Sequence, residues 1–555
     1  MSMGNGSSAP PASEPRVVII GAGPTGLGAG YRLKELGYRN FTIYDRHPYV
    51  GGLAHSFQDE NGFTWDIGGH VMFSHYTYYD QCFEALMGDD FTLNDRESWV
   101  RMMDRWVPYP FQNNVRYLPK QAAFECIAGL IKAQTGRGAI KSPAEARNFG
   151  EFIDAVFGEG IARHFMRPYN FKVWAFPPEM MNKHWIGERV AVIDFERALR
   201  NLILEQDDFG WGPNNRFKFP LRGGTGEFYR RFGPKLGLTE DGRETPSGHI
   251  KLNRAVTAID VDTREVTFNT GETASYDTLI STIPLDVLCR DILRGRVPDS
   301  IRETAARLLH SGGHMVGIGI KRPCPSTKSW MYYPEDNCPF YRATYLSNYS
   351  PFMTPDKDCF YSLLCETSCS EHKPVDKDRI IADTIEGLIN AGMITREETR
   401  DIVSTWHYYA DYSYPTPSVD RDEILSVVIP WLEQRGIYSR GRFGMWKYEV
   451  SNTDHTLMQG VEVVNRLIRG EKETTIGVVY QVTQDGRQAA IHERSERAGS
   501  GEKRLRAAPG AHPELKPGHA GELVMEKPTL DAPEKIGDLD AGPIGEEEVG
   551  VGEGA

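Results

Sequence analysis

The chain alternates between short apolar runs and longer stretches in which apolar residues recur every three or four positions. Val17 to Ile20 is apolar throughout, Phe41-Thr-Ile-Tyr44 nearly so, and Tyr276-Asp-Thr-Leu-Ile-Ser-Thr-Ile ends on Pro284. Runs this short, bounded by glycine and proline, predict strands buried on both faces. Between the first two, Leu27, Tyr31, Leu33 and Leu36 recur at roughly helical spacing, and Gly37 stands where a helix stops. Strand, helix and strand in that order form the unit of a parallel sheet.

Residues 116 to 205 predict mostly helix. From Arg216 the pattern returns to strands, with Ile250 to Val261, then Glu265-Val-Thr-Phe and Gly271 as a hairpin. A chain that leaves a sheet and comes back to it predicts a discontinuous first domain. Met315-Val-Gly-Ile-Gly-Ile, Trp330-Met-Tyr-Tyr, Phe340-Tyr-Arg-Ala-Thr-Tyr and Cys359-Phe-Tyr-Ser-Leu-Leu predict a second, antiparallel sheet. Tyr412-Ser-Tyr-Pro-Thr-Pro reads as a proline-fixed loop, and a helix is expected from about Leu457 to Ile468. Residues 1–15 and 491–555 predict disorder. The latter stretch holds 14 acidic against 8 Lys and Arg residues and few apolar ones.

Composition narrows the class. With 555 residues the chain has room for two or three domains, and 40% hydrophobic with 25% charged residues is ordinary for a soluble globular protein. A formal net charge of −13 argues against a nucleic-acid partner. The eight cysteines form no C-x-x-C pair and have no histidine nearby at ligand spacing, so free thiols in a reducing compartment and no metal site are expected. No basic-then-apolar leader occurs, and no apolar run nears the ~20 residues of a membrane span. These features predict a cytoplasmic protein with no membrane partner.

The candidate chemistry begins in the first turn. Gly21, Gly23 and Gly26 fit G-x-G-x-x-G, and Asp45 follows the second strand, 24 positions after Gly21. The first glycine permits the tight turn, the second admits a pyrophosphate, the third lets helix pack on strand, and the acid accepts from an adenosine ribose. Gly51/Gly52 and Gly68/Gly69 have no general use in a nicotinamide dehydrogenase. A flavoprotein needs such pairs along the second half of its longer cofactor, which points to FAD. His70 closes the second pair, where an imidazole can hydrogen-bond a flavin ring. Trp106-Val-Pro-Tyr-Pro-Phe-Gln-Asn-Asn joins an aromatic to amides. Phe165, Tyr169, Asn170 and Trp174 likewise offer the flat faces and polar edge that a nucleobase pocket requires. Asn452 and Asp454 open the late helix, whose N–H groups can face a phosphate or a flavin oxygen.

Taken together, the strings GAGPTGLGAG, DIGGHVMFSHY, WVPYPFQNN, FMRPYNFKVWA, GERVA, PEDNCPFYRAT, YPTP and GRFGMWKYEV resemble the UDP-galactopyranose mutases, in the eukaryotic form of fungi and related parasites. The resemblance spans about residues 16 to 475. It implies an α/β fold with a discontinuous Rossmann-like FAD-binding domain, an inserted helical domain and an antiparallel-sheet domain. It also implies interconversion of UDP-galactopyranose and UDP-galactofuranose through nucleophilic attack of reduced FAD on the anomeric carbon. That reaction has no net redox change and serves galactofuranose biosynthesis for the cell wall, with NADPH as the reductant.

By motif, the resemblance assigns Arg189, Arg342 and His70 to catalysis, the two arginines as a clamp on diphosphate and sugar. It assigns Tyr109, Gln112, Phe165, Asn170 and Trp174 to uridine, and Asn214, Tyr332, Tyr414 and Tyr448 to sugar and diphosphate. Gly21, Gly23, Thr25, Gly26, Asp45, Gly52, Leu53, Gly68, Gly69, Val256, Arg442, Asn452 and Asp454 fall at FAD-contacting places, and Arg96 and His75 at NADPH-contacting ones. The implied segments are 16–115, 216–300 and 435–490 for the FAD domain, 116–215 for the helical domain and 301–434 for the sheet domain. The Pro351 to Asp358 loop is short beside fungal relatives, and a homo-oligomer stays open. The alternative is an amine-oxidase-like FAD oxidoreductase, which shares the cofactor domain.

Overall fold

The computed structural model describes residues 14–136, 142–208, 215–482 and 488–492. Its first layer is a five-stranded, all-parallel sheet in the order Ile437–Ser439, Thr278–Ser281, Val17–Ile20, Phe41–Tyr44, Ile250–Lys251. Val17, Val18, Ile19 and Ile20 are all buried, as an apolar run at the centre of a sheet covered on both faces must be. The chain departs after Phe41–Tyr44 and returns hundreds of residues later, so the sheet is assembled from distant segments.

Helix Pro24–Glu35 follows the first strand and packs on helix Thr453–Arg469. Thr25 Oγ1 donates to Thr456 O at 2.7 Å, and seven residues later Arg32 Nε donates to Asn465 Oδ1 at 2.8 Å. The contacts advance together along both helices, so the two run parallel and their N-termini lie at the same end. Only glycine allows this approach: a Cβ on Gly460 would stand 1.9 Å from Thr25 O, and one on Gly28 would stand 2.5 Å from Leu457 O.

The second layer is a seven-stranded sheet in the order 402–415, 310–320, 361–369, 342–345, 330–332, 98–102, 105–108. Its pairings are antiparallel except for 330–332 against 98–102. Two features differ from the sequence expectation. Ser98–Met102 and Arg105–Pro108, within the segment assigned to the cofactor domain, extend this sheet instead; the alternating burial of Ser98, Val100 and Met102 suits a strand with one covered face. Strand Ile402–Pro415 also runs through Tyr412–Pro415, expected as loop, with Pro415 tolerated as its last residue.

Helices Lys120–Gln134, Phe149–Ile161, Arg167–Trp174 and Phe195–Ile203 share one apolar core with Phe111, Trp174 and Trp185. Tyr332, Tyr414 and Tyr448 pack against that core from the sheet side and from the approach to the last helix. Glu14, expected in a disordered N-terminus, accepts from the backbone N–H groups of Arg39 and Asn40. At the other end Gln488–His492 pairs with Val478–Val482, carrying the described chain two residues past the expected boundary; the remainder of the tail lies outside the described residues. Among the described residues no helix is long and apolar enough to cross a membrane.

Candidate functional site

The phosphate turn is built as its glycines require. Gly21 has φ +100°, and a Cβ there would stand 1.9 Å from Thr282 Oγ1. A Cβ on Gly26 would strike Gly21 O, so the third glycine sets how closely helix meets strand. Asp45 is buried; Ala22 N–H donates to its Oδ2 at 2.6 Å and His47 N–H to its Oδ1 at 2.8 Å, ties that lock the second strand end against the turn. Burial pushes its carboxyl pKa up. Helix Pro24–Glu35 has Gly23 as an N-cap with no side-chain cap, and Asn452 makes no capping bond to helix Thr453–Arg469. The N-terminus of helix Pro24–Glu35, uncapped and with no acid in its first turn, offers positive potential to a pyrophosphate, whereas Asp454 stands in the first turn of the other helix.

Gly52 lies over Gly23, its would-be Cβ 3.2 Å from the Gly23 Cα. Leu53 and Val256 border the apolar core beside this turn. Gly68 has φ +91°, and Gly69 N–H donates to Glu366 Oε1 at 3.0 Å. His70 Nδ1 is shielded from solvent and has no hydrogen-bond partner among the described residues. Burial is the main cause that lowers the His70 pKa to about 4, so the ring is neutral at pH 7. An unsatisfied imidazole nitrogen, a glycine cradle and the open end of helix Pro24–Glu35 fit FAD. Thr25, expected to face the cofactor, gives its hydroxyl proton to the helix contact.

Beside this cradle the arginines and tyrosines form one connected wall. Arg189 donates from Nη1 to Asn452 Oδ1 at 3.1 Å and from Nη2 to the carbonyls of Tyr448 and Glu449 at 3.0 Å, with its guanidinium carbon 4.4 Å from the Tyr448 ring centroid. Arg442 donates to Ser413 O and Ser451 O and lies 5.0 Å from the Tyr414 centroid and 5.7 Å from that of Tyr448. The Tyr414 hydroxyl is 3.1 Å from that of Tyr341, which donates to Glu366 Oε2 at 2.9 Å. Glu366 holds Arg342 through Nε at 2.6 Å and Nη2 at 2.8 Å. Nη1 of Arg342 and Nε of Arg189 have no partner among the described residues. All four charged or phenolic ends, Arg189, Arg342, Tyr414 and Tyr448, are half-buried, as the lining of a chamber should be.

Aromatic rings continue the chamber. Trp174 meets Tyr448 edge-on at 4.6 Å, Trp185 at 4.9 Å and Tyr414 at 5.5 Å. Phe165 stacks on Phe111 at 4.5 Å and lies parallel to Tyr169 at 5.2 Å. Tyr332 touches Tyr109 and Tyr169 and accepts from the Trp330 indole at 2.7 Å. Gln112 donates to Ala191 O at 2.5 Å and Asn170 to Met166 O at 2.7 Å, so both amides brace the chain that surrounds them. Asn214 lies outside the described residues.

The two residues expected at a nicotinamide nucleotide enter different clusters. Arg96 lies 5.3 Å from the Tyr109 centroid. His75 Nδ1 is 2.8 Å from Asp454 Oδ2, while His455 Nδ1 is 3.1 Å from Asp454 Oδ1. One ligand-type atom from each of His75, Asp454 and His455 lies within 4.8 Å of the other two, a grouping the sequence did not predict. Burial opposes the Asp454 charge, but His455 and then His75 hold its pKa far below the usual carboxylate range. Sequence reasoning also missed Glu366 and Trp185. The signal for Glu366 was present, since an acid two places past an apolar Ser-Leu-Leu run on a buried strand requires a cation.

A parallel nucleotide-binding sheet, a phosphate turn opening helix Pro24–Glu35 and a glycine-lined second half define a flavoprotein. The profile of the flavin containing amine oxidoreductases matches residues 24–462. Among solved structures the chain is similar to a reduced UDP-galactopyranose mutase, at 45% identity and TM-score 0.78, covering 83% of this chain and 97% of that one. A fatty acid isomerase from P. acnes shares the fold alone, at 17% identity and TM-score 0.53, over 81% of this chain and 98% of that one. Protoporphyrinogen oxidase 2 of Arabidopsis thaliana is 25% identical over 182 residues, 30% of this chain and 34% of that protein; the chain thus spans about a third of this curated relative's length. The chain belongs to the flavin containing amine oxidoreductase family and, within it, to the UDP-galactopyranose mutases.

Proposed function

We propose that the protein is an isomerase that interconverts UDP-galactopyranose and UDP-galactofuranose with no net redox change. The observation that carries this reading is the unbroken wall from Arg189 through Tyr448, Arg442, Tyr414 and Tyr341 to Glu366 and Arg342, which begins at Asn452 and ends at Gly69. When bound and reduced, FAD supplies the nucleophile for the anomeric carbon. The chain's own residues then face one demand: a diphosphate must leave the sugar, stay in place and return. Arg189 and Arg342 supply the charge for that, with Tyr332, Tyr414 and Tyr448 as hydroxyl donors and Asn214 toward the sugar. Tyr109, Gln112, Phe165, Asn170 and Trp174 receive the uridine. His70, neutral at pH 7, can either donate to or accept from the flavin ring.

The finer points of the proposal are that the enzyme is of the eukaryotic type, takes NADPH as reductant through Arg96 and His75, and works in the cytoplasm. Eight free cysteines support a reducing compartment.

The test is incubation of the purified protein with UDP-galactofuranose and either dithionite or NADPH, followed by chromatography for UDP-galactopyranose. Conversion in both arms is expected. No conversion with fully reduced flavin overturns the isomerase, and substrate-dependent oxygen uptake would favour an oxidoreductase.

A further inference from the structure

Lys172 sits between Asn170 and Trp174 on helix Arg167–Trp174, and its amine reaches the loop between strands Trp330–Tyr332 and Arg342–Tyr345. Nζ donates to Glu335 O at 2.7 Å and Cys338 O at 2.9 Å, and it lies 3.5 Å from Cys338 Sγ. The thiol itself faces Phe340 O at 3.4 Å. Helix Ile380–Asn390 covers the cysteine: a Cβ on Gly387 would stand 2.8 Å from Cys338 Cβ. Lys172 is 3% exposed and Cys338 4%, which shuts out glutathione disulfide or a second protein's thiol and leaves only small oxidants.

Lys172 makes no ion pair among the described residues, and a buried amine without a carboxylate is costly to keep charged. Burial pushes its pKa down and pushes that of the Cys338 thiol up, so the usual gap between amine and thiol narrows. The surroundings satisfy both placements of the shared proton. With the proton on nitrogen, three N–H groups meet Glu335 O, Cys338 O and Sγ. With the proton on sulfur, the thiol donates to Phe340 O, two N–H groups keep the carbonyls, and the amine lone pair is left for Sγ. The first state presents a thiolate, the form that oxidants attack; the second presents a nucleophilic amine.

We propose that Lys172 and Cys338 form a modification site, at which hydrogen peroxide drives a reversible sulfenamide bond between Cys338 Sγ and Lys172 Nζ. The Cys338 thiolate attacks peroxide: an S–O bond forms, the O–O bond breaks, and the leaving hydroxide takes a proton from the Lys172 ammonium to give water. The neutral amine then attacks the sulfur of the sulfenic acid. The S–N bond forms as the S–O bond breaks, and the departing hydroxide takes one amine proton to give a second water. Sulfur loses two electrons, peroxide gains two, and the chain ends two hydrogens lighter.

Hydrogen peroxide is the two-electron product of dioxygen with reduced flavin, so a flavoprotein meets this oxidant close to its own chamber. Capture by the amine stops the oxidation of Cys338 before sulfinic acid, which thiols do not reverse. The position of the bond ties it to the candidate site. It joins the helix of Asn170 and Trp174 to the loop four positions before Arg342. Lys373 is the rival amine, but its Nζ donates to Ser368 O at 2.7 Å.

The test uses the flavin-loaded full chain carrying Cys359→Ser, which removes the exposed thiol, with and without Lys172→Met. Each protein is treated with hydrogen peroxide, its remaining thiols are alkylated, and its tryptic peptides are mapped by mass. The chain with Lys172 intact should lose cleavage after Lys172 and yield the Lys172 and Cys338 peptides joined, two hydrogens lighter than their sum. Dithiothreitol should separate them and restore cleavage. In Lys172→Met, Cys338 should run on to sulfinic acid for want of an amine. Retained cleavage after Lys172, sulfinic acid at Cys338 in the chain that keeps Lys172, or a bond to Lys373 overturns the proposal. The map of that chain decides the matter alone if Lys172→Met does not fold.

Discussion

Glu366 grips Arg342 by two parallel hydrogen bonds, at 2.6 and 2.8 Å, while Gly69 N–H donates to the same carboxylate. One buried group therefore aims the arginine and pins the glycine pair beside His70. Burial alone would raise the Glu366 pKa, but the Arg342 guanidinium outweighs it and holds the group below its ordinary value. A depressed folded-state pKa gives stability that is present above the unfolded value and lost as pH falls below about 4.

Arg342→Ala should cost kcat about 100-fold or more, the scale for loss of one preorganised donor. It should also cost roughly 3–5 kcal/mol of stability, because Glu366 is left buried and unpaired. Glu366→Gln keeps the shape and should retain flavin, lose turnover and flatten the acid limb of the stability profile. Steady-state kinetics with dithionite-reduced enzyme and thermal melts from pH 3 to 6 test both. Full activity in Glu366→Gln would show that Arg342 needs no positioning.

Gly460→Ala places a methyl group 1.9 Å from Thr25 O, an atom of backbone that cannot rotate aside. The two cofactor helices must separate, at a cost of about 1–3 kcal/mol for overpacking. The N-termini they present together then diverge, so flavin retention should fall along with Tm. The flavin-to-protein absorbance ratio after purification and the melting temperature are the two readouts. A variant that keeps full flavin with an unchanged melt would mean the helices are not wedged there.

Local chemistry explains which parts of this protein were legible before any coordinates. Val17 to Asp45 could be read because strand, turn, helix, strand and acid are consecutive, and each glycine answers a demand set within a few residues. The aromatic runs were legible as rings that pack together, but the amides Gln112 and Asn170 spend their N–H groups on backbone carbonyls. What stayed hidden was pairing across the chain. Glu366 meets Gly69 from 297 positions away, and Arg189 meets Asn452 from 263. The strand Ser98–Met102 could not be assigned to the larger sheet, since its partner Trp330–Tyr332 has no local trace in it. Tyr412–Pro415 misled because proline signals a loop unless a strand happens to end there.

His70 provides a prediction about pH. Burial, then the opposing pull of Glu366 and the push of Arg442 and Arg342, brings its pKa to about 4. It remains neutral through the working range, so no step in kcat between pH 5 and 8 should belong to it. His70→Asn should lower kcat by about tenfold, near the worth of one hydrogen bond, without changing the shape of the profile. Profiles of both proteins with prereduced flavin decide it. A step near pH 6.5 present in the parent and absent from the variant would show that the ring titrates in the ordinary range.

Glu462, on the cofactor helix, carries the last prediction. Its carboxylate accepts from Thr474 Oγ1 at 3.0 Å, Thr475 Oγ1 at 2.9 Å and Thr475 N–H at 2.9 Å, and Tyr76 joins the cluster through Thr475 Oγ1. Burial, with Glu473 adding to it, raises the Glu462 pKa to about 7. A raised acid works in the opposite sense to Glu366. Its stability is fully present below the unfolded value, and between about pH 4.5 and 7 the folded chain binds the extra proton, so stability falls as pH rises. The loss approaches about 3 kcal/mol across that window. Glu462→Gln, which keeps the shape and cannot ionise, should therefore melt above the parent at pH 7.5 and near it at pH 5. Paired melts at those two pH values give the result, and equal slopes in parent and variant would place the pH dependence elsewhere.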